Sequence, residues 1–463
     1  MTAEQIVGFS VYASAAFIFS VAAVLALGAA MEVEGRLRRL MVPALYALIV
    51  LYNCIAPILD GRDLYAPGLL ASPTGAGKWL LRLFLFTALA ICVARLLAAA
   101  FSRENRGAGG GGLLVAFGLF FLTNTVLSSA LGTHPEFKHE HYYVLFLFAA
   151  VYASRTQDLE TAIHFAKSAL LIFMVASCAV SVVWPELTIE RNYPSMLPGV
   201  TIRFWGLESH ANSTAPLALV YLLLAVHQPF ERRWLQRLGL VIGVAVLVLT
   251  QSKTTWTAAA ITLPLLLVLR SRAWGPAAFS LLALGGLVAL AMLLLPTVGV
   301  SVEEIMATKQ GQDVATLDGR DLIWSLAVQE WLHNPLFGYG PPMWNDAYRM
   351  QIGLDHAVSA HNQFLQSLSV AGAMGLIGLL VYLGTLLLYA IDAQRGSRGL
   401  SVALFIVVLV GCTTETPLSL GGTFLTGAFA TQLLLFHVAL ANRHRVARAV
   451  RPATSLATAW RAS

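Results

Sequence analysis

The sequence has few charged residues for its length. Only 12% of its 463 residues are Asp, Glu, Lys or Arg, and 57% are hydrophobic, whereas soluble domains carry about 25% charged residues. This scarcity excludes a soluble globular protein. The composition is typical of a protein that crosses a membrane many times.

Cysteine is also scarce. The four cysteines all fall in apolar stretches, without the C-x-x-C spacing of a metal or redox motif, so the sequence predicts neither a disulfide framework nor a metal site. The Gly-rich run at 107–112 has no accompanying strand or Walker lysine, and it indicates no phosphate-binding loop. No cofactor and no metal are expected.

Apolar runs of roughly 17–25 residues, long enough to cross a bilayer as helices, recur along the chain. They lie at 7–30, 41–59, 79–100, 113–131, 162–184, 210–227, 275–295, 362–391, 399–416 and 421–441, with shorter candidates at 142–154, 237–250 and 254–270. The pattern predicts an all-α polytopic membrane protein with about 12–13 transmembrane helices. We expect a single transmembrane domain over residues 1–445 and a short basic cytoplasmic tail over 446–463. The first run lacks signal-peptide features and is expected to be a retained span.

Lysine and arginine indicate the orientation, because they collect in short cytoplasmic loops. These clusters lie near 36–39, 103–106, 232–237, 270–272, 395–398 and 443–451. The net charge of +6 is therefore an insertion signal and not a nucleic-acid surface. The opposite side receives the long polar segment 296–360, with eight acidic and three basic residues. The N-terminus is outside if there are thirteen spans and inside if there are twelve.

The outer segment 296–360 is predicted to be helical and to cover an active site. Asp318 is a candidate N-cap for an amphipathic helix that Asn334-Pro335 ends. Arg320 would then lie in the first turn, where the helix dipole disfavours a cation, so a guanidinium there indicates an anion site. The alternative is a solvated ion pair between Arg320 and a neighbouring acid.

His361 lies where this segment re-enters the membrane. With Ser359 as the cap, His361 would occupy the first turn of the next span, where the dipole keeps its ring neutral and able to accept a proton. The alternative is an interfacial histidine bound to a loop carbonyl. Asn362 and Gln366 are candidates for orienting the ring or a sugar.

Further cations are predicted on the same side. Arg203 precedes Asn212 and a new span, Lys253 lies in a short turn, and Arg191 is a weaker candidate in a loop with two acids. Charges at the membrane interface are costly and usually mark a site. Several cations around a histidine suit a pyrophosphate.

These segments resemble motifs of the bacterial O-antigen ligase and polymerase superfamily. The motifs are Arg203-Phe-Trp-Gly with Asn212, Gln251-Ser-Lys-Thr, Gly319-Arg320 followed by Trp324, residues 334–340 (NPLFGYG) and His361-Asn-Gln-Phe-Leu. The resemblance covers roughly residues 185–420, and the motifs follow in the expected order. One departure is Lys253, because the family has Arg more often in this turn.

The resemblance implies an inverting, metal-independent membrane glycosyltransferase of the C type in the bacterial inner membrane, with its active site facing the periplasm. The donor would be a glycan on undecaprenyl pyrophosphate. His361 would be the general base, and Arg320 and Arg203, with Lys253 and Arg191, would hold the pyrophosphate.

The acceptor divides this family. A ligase uses a sugar hydroxyl of the lipid A–core oligosaccharide, and a polymerase uses another lipid-linked glycan. The single large outer segment late in the chain favours the ligase layout. A transporter or flippase of an anionic glycolipid is the alternative from another class, although the sequence shows neither paired repeats nor broken helices.

Overall fold

The computed structural model is mostly α-helical. The residues it describes are 34–65, 75–101, 109–155, 159–271 other than 194, 196 and 198, 320–354, 357–420 and 425–441. In chain order the helices are α1 (Glu34–Leu59), α2 (Gly75–Phe101), α3 (Gly111–Leu131), α4 (Tyr143–Ala153), α5 (Leu159–Val183), α6 (Ala211–His227), α7 (Arg233–Leu249), α8 (Lys253–Ser271), α9 (Arg320–His333), α10 (Asp346–Ile352), α11 (Gln363–Ala393), α12 (Leu400–Gly411) and α13 (Gly427–Ala441).

Four of the described helices, α2, α3, α5 and α11, are long and apolar enough to cross a membrane, and most of the others are shorter apolar helices. The protein is therefore an all-α polytopic membrane protein, as its composition predicted. The shorter candidate spans at 142–154, 237–250 and 254–270 are helices α4, α7 and α8. The predicted spans at 7–30 and 275–295 lie outside the described residues, so the number of spans stays a prediction.

The core is built from aromatic rings of central helices. Phe117 of α3 stacks on Phe148 of α4 with ring centroids 3.7 Å apart, and Phe436 of α13 meets Phe148 edge to face at 4.8 Å. Such pairs add about 0.5–1.5 kcal/mol each beyond the burial of their area. This packing joins early and late helices in one bundle.

Helix α11 is broken at Gly372, which has φ 65°. Loop 335–340 fills the break: the amides of Tyr339 and Gly340 donate to the carbonyls of Ser369 and Val370, and Ala373 N donates to Pro335 O. The backbone groups freed by the break are thus satisfied within the protein, as a bilayer requires. The sequence analysis took 362–391 as an unbroken span, and that expectation is wrong.

Helix α9 confirms the predicted helix after Asp318, which itself lies outside the described residues. It ends at His333, directly before Asn334-Pro335. Its buried residues include Ile323 and Ala327, whereas Leu322 and Leu332 are about half exposed or more, at 50% and 60%.

A small antiparallel sheet replaces the loop that was expected before α6. Strands β1 (Ile189–Arg191) and β2 (Ile202–Phe204) pair with Glu190 opposite Arg203. The buried Arg62 guanidinium donates to the carbonyls of Leu187, Gly206 and Glu208. This guanidinium ties the α1–α2 connection to the sheet and fixes the strand that carries Arg203.

Candidate active site

Arg203 is held in one orientation by three neighbours. Its Nε donates to Thr250 O (2.9 Å), its Nη2 donates to Asn212 Oδ1 (2.7 Å), and its guanidinium lies over the Tyr193 ring, 4.7 Å from the centroid. Only 9% of the residue is exposed. Among the described residues Nη1 has no hydrogen-bond partner, so one face of the fork remains available for an anion.

Arg320 is the first described residue of α9, and it contacts the turn after α12. Its Nη1 donates to Thr414 O (2.6 Å) and its Nη2 to Glu415 Oε1 (3.2 Å), with 14% of its side chain exposed. The alternative of a solvated pair with Asp321 is therefore wrong. Asp318 lies outside the described residues.

His361 lies just outside α11. The side chain of Asn362 caps this helix by accepting from the amides of Phe364 and Leu365, and His361 adopts φ 45°. The expectation that Ser359 caps the helix and places His361 in its first turn is wrong. Ser359 Oγ instead accepts from His361 N at 3.2 Å. A left-handed non-glycine residue is uncommon and is often found at functional sites.

Glu415 joins these groups, and the sequence analysis did not single it out. Its Oε2 lies 3.0 Å from His361 Nδ1, and its Oε1 accepts from Asn212 Nδ2 (2.8 Å) and from Arg320. We call Arg203, Asn212, Arg320, His361 and Glu415 the polar cluster. The available signal was an acid at the end of an apolar run. The predicted span 399–416 included Glu415, but the helix α12 ends at Gly411, so Glu415 lies beyond it.

The ionisation of Glu415 fixes the tautomer of His361. Burial raises the pKa of Glu415, but the hydrogen bond and charge of His361, the charge of Arg320 and the Asn212 hydrogen bond outweigh it and hold that pKa below its usual value. A carboxylate can only accept. In the neutral form of His361 the proton therefore lies on Nδ1, facing Glu415, and Nε2 is left as the atom that can accept a proton.

Helix N-termini surround the polar cluster. Helices α6, α8 and α11 begin at Ala211, Lys253 and Gln363, each within three residues of a cluster member or of its hydrogen-bond partner Thr250. Each N-terminus carries a partial positive charge and unpaired N–H groups. The site is electropositive apart from the Glu415 carboxylate, which suits an anionic ligand.

The other residues predicted for the site differ in how closely they contact the polar cluster. Asn212 uses its amide within the polar cluster, Asn362 caps α11, and Gln366 accepts from Ala360 N at 2.8 Å. Lys253 is exposed, and the next residue, Thr254, hydrogen-bonds through its hydroxyl to that of Thr414 at 2.8 Å. The backbone at Lys253 is therefore close to the cluster. The contacts of these residues with a substrate stay predictions.

Arg191 is not brought to the cluster. It lies one position from Glu190, the residue opposite Arg203, so strand alternation puts it on the other face of the sheet. Its guanidinium lies over Tyr65, 4.2 Å from the ring centroid.

His210 is a second histidine beside the cluster. Its Nδ1 accepts from Asn212 N (3.1 Å) as the cap of α6, and its ring lies 4.4 Å from that of Trp205. Burial, followed by the charge of Arg203, lowers the pKa of His210 to about 4. The ring is neutral at pH 7, and it is a positioning group rather than a cation for the ligand.

The described residues contain no group of three or more His, Cys, Asp or Glu that could hold a metal ion. Fold and site together define a polytopic membrane protein with two arginines, a histidine and a carboxylate gathered at one end of its described bundle, an arrangement that suits an anionic ligand and proton transfer.

The comparison with protein families names the class. The family model described as O-antigen ligase matches residues 238–383, a region that includes Lys253, Arg320 and His361. This match supports a member of the O-antigen ligase and polymerase superfamily, a class of membrane glycosyltransferase-like enzymes. A search of curated proteins gives no match to this chain. Arg203, Asn212 and Glu415 lie outside the matched region, and the structure brings them to it.

Proposed function

We propose that the protein is a lipopolysaccharide O-antigen ligase. It transfers a glycan from undecaprenyl pyrophosphate to a sugar hydroxyl of the lipid A–core oligosaccharide at the periplasmic face of the bacterial inner membrane. The observation that carries the proposal is the convergence of Arg203 and Arg320 with the His361–Glu415 pair. An acceptor hydroxyl needs a base, and a departing pyrophosphate needs cations.

The reaction is a direct displacement at the anomeric carbon. His361 Nε2 takes the proton of the acceptor hydroxyl while its oxygen forms the new glycosidic bond. The bond from the anomeric carbon to the pyrophosphate oxygen breaks, and its electron pair leaves with the pyrophosphate. Attack opposite the leaving group inverts the anomeric carbon. Glu415 stabilises the imidazolium that forms, as the carboxylate does in a catalytic triad.

The leaving group is held by the protein's own cations. Arg203 Nη1 and Arg320 Nε have no hydrogen-bond partner among the described residues, and the N-termini of α6, α8 and α11 add N–H groups. These donors stabilise the charge that develops on the pyrophosphate in the transition state. The exposed ammonium of Lys253 is a further phosphate ligand in this proposal. No metal is required.

The distribution of charge supports a periplasmic site. Helix α11 starts and α12 ends at the polar cluster, so their connection with Arg395 and Arg398 lies at the other end of the bundle. Helix α13 starts beside Glu208, whose Oε1 accepts from Gly427 N at 2.7 Å, and runs toward the basic residues 443–451. Basic loops mark the cytoplasmic side, so the same distribution supports a cytoplasmic C-terminus.

A reconstituted transfer assay tests the proposal. Purified protein in detergent receives radiolabelled glycan on undecaprenyl pyrophosphate and either lipid A–core or a second lipid-linked glycan as acceptor. A ligase labels lipid A–core, and His361→Ala does not. Labelling of only the lipid-linked glycan would make the protein a polymerase. Absence of any transfer, together with movement of glycolipid across the membrane of liposomes, would make it a transporter. The broken helix α11 is a feature that transporters share.

A further inference from the structure

Helix α2 begins with a basic and aromatic face that the polar cluster does not use. Lys78, Trp79 and Arg82 are exposed, Trp79 by 70%, and the Arg82 guanidinium lies 5.2 Å from the Trp79 ring centroid. Leu83 (63% exposed) and Phe86 (51%) continue the same face, because these positions are spaced by about one turn. We call these five residues the α2 face.

The α2 face lies at the active-site end of the bundle. A Cβ built on Gly77 would lie 2.8 Å from the Asp60 carboxyl carbon, so the start of α2 packs against the α1–α2 connection. That connection reaches the sheet through Arg62 and through Tyr65, whose ring lies beneath Arg191. The described part of the connection, residues 60–65, therefore contacts the same sheet that carries Arg203.

Helix α7 carries a matching face at the opposite end. Arg233, Trp234, Arg237, Leu238 and Val241 are exposed at the same spacing. The end of α7, at Thr250, contacts Arg203, so its start lies far from the site. In the proposed orientation the positive-inside rule accounts for cations at the start of α7 but not for those at the start of α2. Membrane insertion therefore does not explain the cations of the α2 face, and an anionic ligand would.

We propose that the α2 face binds the phosphorylated headgroup of the acceptor glycolipid. This inference rests on the proposed function. Neither Lys78 nor Arg82 has an acidic partner among the described residues, so both cations are available to phosphate oxygens. The Trp79 ring lies at headgroup level, where amphipathic rings are favoured. The acyl chains run along Leu83 and Phe86, and the saccharide extends across the sheet toward His361.

Steady-state kinetics test the α2 face against its match on α7. The double variant Lys78→Gln/Arg82→Gln should raise the acceptor KM roughly tenfold or more, which is the effect of losing at least one charge-assisted contact. Its kcat and donor KM should stay unchanged. The control Arg233→Gln/Arg237→Gln removes two cations of the same spacing and should leave the acceptor KM unchanged. With enzymatically dephosphorylated acceptor, wild type and the α2 variant should have the same KM.

Direct binding keeps this inference separate from the proposed function. Native mass spectrometry with phosphorylated or dephosphorylated lipid A–core should show weaker binding of the phosphorylated form by the α2 variant only. Equal losses in both double variants would mean general interfacial anchoring and would overturn the inference, as would an unchanged acceptor KM and affinity. If wild type transfers nothing to lipid A–core, the proposed function fails, and the binding measurement still decides what the α2 face recognises. The single variants Lys78→Gln and Arg82→Gln replace the double variant if its yield falls.

Discussion

His361 Nδ1 and Glu415 Oε2 lie 3.0 Å apart, although 54 positions separate the two residues in the chain. In the proposed mechanism this pair makes His361 a base of defined tautomer. This relationship gives the most direct test of the mechanism.

We expect His361→Ala to lower turnover by roughly 10²–10⁴-fold. Glu415→Gln keeps the size of the side chain but loses the charge that stabilises the imidazolium, and it should lower turnover at least about tenfold. Initial rates of purified variants measure both effects. Because the residues act as a unit, the double variant should be no slower than His361→Ala alone.

The control for Glu415→Gln is Glu330→Gln, which removes a carboxylate bonded to the Tyr348 hydroxyl at 3.0 Å, outside the polar cluster. It should transfer at the wild-type rate. Full activity of Glu415→Gln would remove the carboxylate from the mechanism.

Arg203→Lys and Arg320→Lys test the geometry of the cations. Each variant keeps the charge but loses the planar fork that contacts Asn212 or Thr414 and an incoming phosphate. Turnover should fall strongly while the protein stays monodisperse. Arg349→Lys is the matched control, because Arg349 pairs with the exposed Asp346 in its own helix, and such pairs contribute little. Wild-type rates in both site variants would contradict the pyrophosphate role.

Chelation tests the metal-free proposal. The transfer rate should be unchanged after EDTA treatment, because guanidinium groups and helix N-termini neutralise the pyrophosphate. A parallel assay with added Mg²⁺ measures any stimulation. Loss of transfer with EDTA, restored by a divalent ion, would show that the cations of the protein are insufficient.

His210 should make stability depend on pH. The folded protein lowers the pKa of His210 to about 4, whereas an unfolded histidine titrates near about 6.5. Between these values the unfolded chain binds the extra proton, so stability falls as the pH drops through this window. His210→Asn keeps a capping acceptor and should flatten the change in unfolding temperature between pH 6.5 and 4.5. His333→Asn, an exposed control, should not, and equal slopes in all three proteins would contradict the assignment.

Gly372→Ala should destabilise the protein, because its Cβ would lie 2.3 Å from Leu336 C and φ there is 65°. Gly384→Ala in the same helix is the control. A Cβ at Gly384 meets nothing within 4 Å, and alanine is the better helix former by up to about 1 kcal/mol. Thermal unfolding midpoints in detergent measure both. Equal midpoints would show that the break is not held by close packing.

The sequence predicted an all-α membrane protein and most of its helices, because the length of an apolar run indicates whether it can cross a bilayer as a helix. It missed the break in α11, since a glycine inside an apolar run is compatible with a continuous helix. The break depends on the packing of loop 335–340 against α11. This contact is tertiary, so the local sequence around Gly372 does not predict it. Ser359 and Asn362 are both good N-caps, so the choice between them, and with it the placement of His361, needed tertiary structure.

The candidate site was predicted in part. Arg203 stood out because charges near a membrane are costly, and Arg320 and His361 because of their predicted positions at helix starts. The structure brings all three together around Glu415. Glu415 was hidden because hydropathy extended the apolar run 399–416 over it. Arg191 was predicted to join the other cations because it lies in the same outer segment as Arg203. The pairing of β1 with β2 instead puts it on the opposite face of the sheet from Arg203.

The order of the polar cluster along the chain also has a consequence for biosynthesis. Arg203 and Asn212 leave the ribosome first, Arg320 and His361 follow, and Glu415, which contacts three of the other four, comes after α12. In the proposed orientation, a nascent chain therefore carries its cations and its histidine through the membrane before the carboxylate that joins them has been made. The polar cluster is complete only after the penultimate described helix has been inserted, so under the proposed function a chain that stops before Glu415 should not consume the donor.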